Sequence, residues 1–425
     1  MYQAETPADL LKKKRKLPGS RSSWTRVAST VFLLGTTSLL TDISSEMVSA
    51  MLPLYLLVAL RFSPFQVGVM DGLYQGATVL VRVMSGLVAD RWRRPKQVAA
   101  VGYGLSAVCK LGLLIASSSW TAIAGVMLLD RVGKGIRTAP RDAMIAASSQ
   151  PEQLATAFGV HRAMDTAGAM IGPLLAVAIL SIAPEQYDAI FVVSFCVALI
   201  GLAVIVLFVD NPADRAVDES EDGSSVSQAA VSLRSMIALL WQAEFRTLII
   251  VGSALALVTV SDSLLYLVLR QRMTIPNGLF PLLYVVTALM FMIFAIPAGW
   301  LADRIGHKPV FFLGYGLLAG AYGILLVLQM NYLTAVLMLI LLGSYYAATD
   351  GVFMAMASRV LPTHLRTTGL ALLTTGTGLA RLLASTLYGI VWSWFGAERA
   401  LMIFIGGLVA VLLLAWPTVQ RVLEN

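Results

Sequence analysis

The sequence GLVADRWRRPK at residues 86–96 returns in altered form as GWLADRIGHKP at residues 299–309. The aspartates of the two copies, Asp90 and Asp303, lie 213 residues apart in a chain of 425 residues. Because this offset is half of the chain length, the sequence indicates two copies of one structural unit. Each copy places a basic turn between two apolar segments, so those segments decide the fold.

The apolar content of the chain excludes an ordinary soluble domain. The sequence is 58% hydrophobic and 13% charged, with a mean hydropathy of +0.78, and a soluble domain of this kind would expose large apolar patches. About 20 apolar residues cross a bilayer, and twelve such segments fit between short connections. We therefore predict an all-α integral membrane protein with twelve transmembrane helices in two six-helix pseudo-repeats.

The polar segments divide the chain into five parts. A basic tail precedes the first apolar segment, and an acidic stretch rich in Gly and Ser separates the halves. The predicted parts are a cytoplasmic tail at 1–26, an N-terminal six-helix bundle at 27–209, a cytoplasmic linker at 210–244, a C-terminal six-helix bundle at 245–416 and a cytoplasmic tail at 417–425.

The distribution of Lys and Arg predicts the orientation. The N-terminal tail alone carries seven of these residues, whereas all connections on the other side of the predicted spans carry four. Positive charge is retained on the cytoplasmic side of membrane proteins. Both termini and both repeated turns are therefore predicted to be cytoplasmic, in a plasma membrane of the bacterial inner-membrane type, and the basic tail is expected to contact lipid rather than nucleic acid.

The repeated turns resemble the loop signature G-x-L-x-D-R-x-G-R-K of the major facilitator superfamily, in which it joins the second and third helices of each half. The second copy is the closer match, since the first has Val88 and Arg93 where the signature has Leu and Gly. The resemblance implies twelve helices around a central cavity and transport of a small molecule. It assigns a gating role to Gly86, Asp90, Arg91, Gly299, Asp303 and Arg304.

The fourth predicted span carries an unusual number of charges for a membrane segment. Its basic residues, Arg131, Lys134, Arg137 and Arg141, fall on one stripe of a helix. A charge near the membrane centre is costly, so it faces a partner or a wet cavity. The segment at 131–135 also resembles the R-x-x-x-G element of the superfamily's fourth helix, which implies a proton-coupling role for Arg131. Extended to residue 142, it resembles a bacterial and archaeal subgroup with the pattern R-x-G-K-G-x-R-x-x-P-R-D.

Acidic residues on the first and fifth spans are the predicted partners of these bases. Asp42 and Glu46 are four residues apart and share a face, and Asp165 and His161 share a face on the fifth span. Asp42, Glu46, Arg131, Asp165 and His161 are the candidates for proton coupling. The alternatives are that Asp42 pairs with a buried cation for structural reasons and that His161 is a hydrogen-bonded structural residue near the inner gate, and the second of these is favoured over a proton relay. Gly168, Gly172 and Pro173 resemble the fifth-helix motif G-x-x-x-G-P of the superfamily's antiporters.

The C-terminal half carries fewer charges within its spans. With Arg131 and Lys134, Asp262 and Arg381 are the predicted residues of the substrate cavity. No phosphate loop and no nucleophile with its base occur, so no enzyme and no ATP-driven pump is expected. Cys109 and Cys196 each lie in an apolar segment and are read as small buried residues, and no metal or other cofactor is expected.

These observations favour proton-coupled efflux of a small organic molecule by alternating access. The proton gradient replaces a cofactor, the partners are the substrate, protons and lipid, and a monomer is expected. Two alternatives remain open: uptake or exchange of an anion attracted by Arg131 and Lys134, and a membrane scaffold or sensor that does not transport. Charge near mid-membrane without a packing need favours a transporter over a scaffold.

The charge bias predicts that reporters fused to either terminus or inserted in the 210–244 linker stay in the cytoplasm. Accessibility of cysteine-free variants carrying one added cysteine to a membrane-impermeant thiol reagent in intact cells measures this. Labelling of a linker cysteine from outside contradicts the predicted topology.

Overall fold

The computed structural model describes residues 28–77, 95–116, 118–150, 153–210, 239, 241–327, 329–362 and 366–423. All regular structure in these residues is helical, as predicted. The helices are α1 Ser29–Leu54, continued by a π-helical turn at Tyr55–Ala59, α2 from residue 64 and described to 77, α3 Pro95–Ile115, α4 Trp120–Ala147, α5 Leu154–Ile182, α6 Tyr187–Phe208, α7a Ala243–Leu257, α7b Asp262–Arg272, α8 Leu282–Ile305, α9 His307–Val327, α10 Tyr332–Val360, α11 Arg366–Phe395 and α12 Ala397–Leu423.

The lengths and composition of these helices fit a membrane protein. Within the described residues, ten helical stretches are long and apolar enough to cross a bilayer. Helix α4 is as long as the others, but its six charged residues between 130 and 142 make it too polar to be included. The two halves and the all-α membrane fold predicted from the sequence are confirmed.

The two halves repeat the same helix pairs. In the N-terminal half α1 packs on α5 and α6, and α3 packs on α4 and α6. In the C-terminal half α7a packs on α11 and α12, and α9 packs on α10 and α12. Adding six to each helix number of the first set gives the second. The duplication indicated by the two turns is therefore a duplication of packing as well.

Helix α7, the first helix of the bundle predicted to begin at residue 245, is not one continuous span. It is broken at residues 258–261, and α7b restarts at Asp262 with the Ser261 side chain accepting a hydrogen bond from the Leu264 backbone N–H. The Tyr322 hydroxyl accepts the Val260 backbone N–H at 2.8 Å. These side chains replace the hydrogen bonds that a continuous helix would make, which is how a membrane helix tolerates a break.

Several predicted boundaries differ from the structure or lie outside it. Helix α7a begins at Ala243 and α12 continues to Leu423, seven residues past the predicted end of the bundle at 416. The basic tail at 1–26 and nearly all of the linker, residues 211–238, lie outside the described residues. So do Gly86, Asp90 and Arg91 of the first repeated turn.

Glycines bring α1 and α5 into backbone contact. A Cβ atom added at Gly168 would lie 2.5 Å from the Leu39 carbonyl oxygen, and one at Gly172 would lie 2.7 Å from the Ile43 carbonyl oxygen. Pro173 follows within the same helix. Small residues at four-residue spacing allow such close approach of membrane helices. The G-x-x-x-G-P segment therefore holds the first and fifth helices together, whatever its role in gating.

The two halves meet through α2 and α11 on the side of the membrane opposite Ser29 and Leu423. A Cβ atom added at Gly68 would lie 2.5 Å from the Ser385 carbonyl oxygen, and one at Gly389 would lie 2.7 Å from the Pro64 carbonyl oxygen. The Phe65 backbone N–H donates to the Ser393 hydroxyl at 2.9 Å. We call this the α2–α11 contact, and the side that carries Ser29 and Leu423 the terminus side.

The glycine contacts generate a stability prediction. Gly172→Ala should lower the thermal unfolding midpoint in detergent, because overpacking against backbone costs about 1–3 kcal/mol. Gly125→Ala on α4 is the matched control, since an added Cβ there meets nothing within 4 Å. Equal unfolding midpoints for the two variants would show that the α1–α5 contact is not tight.

Candidate functional site

A cavity of about 270 Å³ lies between the two halves. We call it the central cavity. It is bounded by α1, α2 and α4 from the N-terminal half and by α7b, α8 and α10 from the C-terminal half. Its lining residues are Glu46, Ser49, Leu52, Pro53, Leu56, Val67, Asp71, Tyr74, Gln75, Met127, Arg131, Lys134, Asp262, Ser263, Tyr284 and Tyr346.

The break in α7 places Asp262 on the cavity wall. Asp262 is the first residue of α7b, and its carboxylate accepts a hydrogen bond from the Tyr346 hydroxyl at 2.8 Å. The Tyr284 hydroxyl lies 3.1 Å from the Ser263 hydroxyl in the next position. The Ser261 cap fixes where α7b begins, and the Tyr346 hydroxyl holds the Asp262 carboxylate at that position. The predicted cavity residue Asp262 is therefore in the cavity.

Asp71 on α2 is a cavity acid that the sequence interpretation missed. It is 9% exposed, and its carboxylate accepts a hydrogen bond from the Ser385 hydroxyl of α11 at 2.7 Å. Ser261 and Ser263, at the start of α7b, and Gln75 surround the same carboxylate. The bond to Ser385 joins the two halves beside the α2–α11 contact. A signal was present in the sequence, since Asp71 is an acid within a predicted span.

Arg131 lies on the cavity wall, but its partner is its own neighbour. Its guanidinium donates to Asp130, whose other carboxylate oxygen is 2.8 Å from the Lys110 ammonium. The Arg131 Cζ atom lies 3.9 Å from the centroid of the Tyr74 ring. Arg131 is therefore paired with Asp130 of its own helix, and the acids of α1 and α5 meet other bases of the stripe. Lys110, a base within a predicted span, was also missed.

Asp42 and Asp165 instead face the two arginines nearer the terminus side. Arg137 lies 3.7 Å from Asp42, and Arg141 lies 4.0 Å from Asp165. The Ser38 hydroxyl donates to Asp165 and accepts from Arg141 at 3.1 Å. We call Asp42, Arg137, Arg141 and Asp165 the charged cluster. The structure thus brings Asp42 and Asp165 together as predicted, with different arginines.

Glu46 and Lys134 connect the charged cluster to the central cavity. Both line the cavity, and Lys134 interacts electrostatically with Asp42 as well as with Glu46. The Ser49 hydroxyl donates to the Glu46 carboxylate at 2.7 Å. Because α1 carries Asp42 and Glu46 one turn apart, the same helix face passes from the cluster to the cavity.

His161 lies beside the charged cluster, whereas Arg381 lies outside the central cavity. His161 is 3% exposed and interacts electrostatically with Arg141 and Asp165. Arg381 lines a smaller neighbouring cavity with Gln75, Thr259, Val260, Ser261, Tyr345, Tyr346 and Ser385. Arg381 is thus one layer behind the cavity wall, next to the α7 break.

The second repeated turn is described and lies on the terminus side. The Asp303 carboxylate is 3.7 Å from the His307 imidazole, and the Arg304 Cζ atom lies 3.8 Å from the centroid of the Trp300 ring. A Cβ atom added at Gly299 meets nothing within 4 Å. Both side-chain contacts stay within the turn, and a gating role for this turn remains a prediction.

Comparison with known proteins gives the family context of this geometry. The family model described as Major Facilitator Superfamily matches residues 34–385 and 259–423. An uncharacterised MFS-type transporter of Methanocaldococcus jannaschii is 30% identical over 377 residues, which cover 86% of this chain and 89% of that protein. Both matches extend over most of the chain rather than over a single motif.

Solved structures resemble the fold at low sequence identity. A mutant of the nucleoside transporter NupG matches with a TM-score of 0.77 and 15% identity, covering 92% of this chain and 99% of the other. A POT family transporter in complex with 5-aminolevulinic acid matches with a TM-score of 0.75 and 13% identity, covering 93% and 97%. These likenesses show the fold alone.

The Lys110–Asp130–Arg131 contact generates a second stability prediction. Asp130→Asn leaves two buried cations without their acid, which should cost about 3–5 kcal/mol of stability and lower the unfolding midpoint in detergent. The double variant Lys110→Met/Asp130→Asn should recover part of the loss, because it restores the net charge. Asp142→Asn, at a side chain that is 43% exposed, should cost less; a loss as large as that of Asp130→Asn would contradict the argument.

Proposed function

The chain belongs to the Major Facilitator Superfamily, and from that premise we propose that it is a proton-coupled transporter that exports a small organic cation by alternating access. As a multi-pass membrane transporter of this fold, it moves its substrate through the central cavity between the two halves. The bias of Lys and Arg supports an inner-membrane orientation with both termini in the cytoplasm, and with that orientation the terminus side is the cytoplasmic side.

The proposal rests on one observation, which is that the carboxylates in the cavity have no basic partner in direct contact. Glu46, Asp71 and Asp262 line the central cavity, and none of the three takes part in an ion pair within 4.0 Å among the described residues. Their hydrogen-bond donors are neutral hydroxyl groups of Ser49, Ser385 and Tyr346. An ionised carboxylate without a cation is costly to bury.

Such carboxylates favour either of two ligands. A proton removes the charge, and an organic cation balances it, so the two compete for the same acids. Competition of this kind couples uptake of a proton to release of a cation, because each state of the cavity accommodates one or the other. The gradient of protons then drives the cation outward.

The basic residues of the cavity support an anionic substrate less strongly than the acids support a cationic one. Arg131 is already paired with Asp130, which leaves Lys134 as the cavity base without an acid within 4.0 Å among the described residues. The cavity therefore contains three acids and one base, Lys134, that has no ion pair within 4.0 Å among the described residues and interacts with Asp42 and Glu46 at longer range. Lys134 is the observation that favours the alternative, exchange of an anion, and the same experiment separates the two.

The prediction concerns Asp71 and Asp262. In proteoliposomes with an imposed pH gradient, Asp71→Asn and Asp262→Asn should each lower pH-driven cation transport by about tenfold or more, because one lost ionic contact in a buried site costs at least about 1.4 kcal/mol. Transport is measured as proton flux with a panel of small organic ammonium compounds, matched neutral alcohols and matched carboxylates.

The matched control is Asp350→Asn, which removes an acid on α10 that does not line the central cavity. It should keep most of the wild-type rate. Proton flux driven by carboxylates and lost in Lys134→Gln would favour the anion alternative. Absence of flux with every member of the panel, in protein that is folded and correctly inserted, would favour a scaffold or sensor.

A further inference from the structure

Three buried side chains, one in the charged cluster and two beside it, have polar atoms without a hydrogen-bond partner among the described residues. They are the Tyr103 hydroxyl on α3, the Nη1 atom of Arg137 on α4, and both ring nitrogens of His161 on α5. Tyr103 is 1% exposed, and Arg137 and His161 are each 3% exposed. The three side chains come from three different helices that pack around the cluster.

The three side chains surround the same charges. The Arg137 Cζ atom lies 4.8 Å from the centroid of the Tyr103 ring. Tyr103 interacts electrostatically with Arg141, Asp42 and Asp165. His161 and Asp165 are four residues apart on α5, hence on one face of that helix. The unpartnered atoms therefore belong to one polar region rather than to three separate places.

Unpartnered polar atoms at this depth require a ligand. A buried donor without an acceptor costs about 1–3 kcal/mol, and buried polar groups in proteins are bonded to other protein groups or to ordered water. The arginines of the cluster already face Asp42 and Asp165, so a bound anion is not needed for charge balance. A neutral imidazole has one donor and one acceptor nitrogen, and water is the ligand that satisfies both as well as the phenol and the guanidinium.

The region is connected to both the terminus side and the cavity. The Asp142 side chain is 43% exposed and lies 2.9 Å from Arg141, whose side chain is 12% exposed. Asp165 and Asp42 follow with side chains 16% and 14% exposed. Beyond Asp42, Lys134 reaches the central cavity. Exposure is thus highest at Asp142 and falls to between 12% and 16% at the three inner side chains, as at the mouth of an entry path.

We propose that the charged cluster holds ordered water molecules and that His161 joins them to Asp165 as a proton relay between the terminus side and Asp42. The relay rests on the proton coupling proposed above. In each transfer, one ring nitrogen of neutral His161 accepts the excess proton of a hydronium ion and leaves water, while the other ring nitrogen releases its proton to the Asp165 carboxylate. Rotation of the ring then restores the starting tautomer. The charged groups that interact electrostatically with His161 are Arg141 and Asp142 on α4 and Arg162 and Asp165 on α5. Asp42 on α1 and Tyr103 on α3 in turn interact with Asp165.

The water is tested first, without reference to transport. X-ray radiolysis generates hydroxyl radicals from bound water, so a buried side chain beside ordered water is oxidised and a dry one is not. In purified protein, Tyr103 should be modified about tenfold faster than Tyr322, as expected for a side chain that contacts buried water. Tyr322 is the control because it is 0% exposed and its hydroxyl already accepts the Val260 N–H.

The relay is tested with two substitutions of the same histidine. His161→Leu should reduce oxidation of Tyr103 to the level of Tyr322, because an apolar side chain removes the polar partners that hold the water. His161→Gln keeps hydrogen bonding but does not titrate, so it should keep Tyr103 oxidation and lower pH-driven transport about tenfold or more. Thr166→Val on the same helix, at an exposed position, is the matched control and should change neither.

The outcomes separate this proposal from the proposed function. Oxidation of Tyr103 and His161 no faster than that of Tyr322 would overturn the water site. A wild-type pH-driven rate in His161→Gln would overturn the relay, while fast Tyr103 oxidation together with a slowed rate supports it. Absence of pH-driven transport in the wild-type protein would overturn proton coupling and the relay together, whereas the oxidation rates would still decide the water.

Discussion

The N-terminal half depends on neutralising the basic stripe of α4 within the membrane. Separate cations there are expensive, and each arginine of the stripe lies within 4.0 Å of at least one carboxylate. Arg131 is paired with Asp130, Arg137 faces Asp42, and Arg141 faces Asp142 and Asp165. These acids lie on α1, α4 and α5, and Lys110 of α3 joins through Asp130. Ion pairs thereby fix α1, α3, α4 and α5 around the charged cluster, and α1 and α4 also line the central cavity.

The C-terminal half contributes a different chemistry to the cavity. Its hydrogen bonds there are made by hydroxyl groups, from Tyr346 to Asp262 and from Tyr284 to Ser263. Asp71 belongs to the N-terminal half, but its carboxylate accepts a hydrogen bond from the Ser385 hydroxyl of the C-terminal half. Hydroxyl groups rotate and exchange partners at little cost, whereas a buried ion pair resists separation. The buried ion pairs therefore lie in the N-terminal half. The hydroxyl hydrogen bonds lie in the C-terminal half and between the two halves.

The sequence predicted the elements of this arrangement better than their partners. The half-length repeat, the apolar spans and the stripe on α4 follow from periodicity, which sets the face of a helix. Periodicity does not set which neighbouring residues that face meets, so the sequence left open which buried cation faces Asp42, and in the structure Arg137 lies 3.7 Å away. The break in α7 was missed because the segment is mostly apolar on both sides of it, and the polar residues Thr259, Ser261 and Asp262 were not interpreted as the end of one helix and the cap of the next. Asp71 and Lys110 needed no structure, only attention to single charges in apolar segments.

The break in α7 lies where a hinge would be useful. On one side of it α7a is packed within the C-terminal half, and on the other side α7b lies against the N-terminal half. Helix α7a packs on α11 and α12 within its own half, whereas α7b packs on α1 of the other half. The two halves are joined at the α2–α11 contact by glycine backbone approach and single hydrogen bonds, each with a net worth of about 0.5–1.5 kcal/mol. Contacts of that size form and separate without unfolding either half. Few helical hydrogen bonds hold the break, since the Val258 and Thr259 N–H groups donate to carbonyl oxygens only three residues back and the Val260 N–H donates to a side chain. Helix α7b is therefore able to change its angle to α7a as the contact opens. Because Asp262 is the first residue of α7b, such a movement would carry a cavity acid with it and change its distance from Asp71.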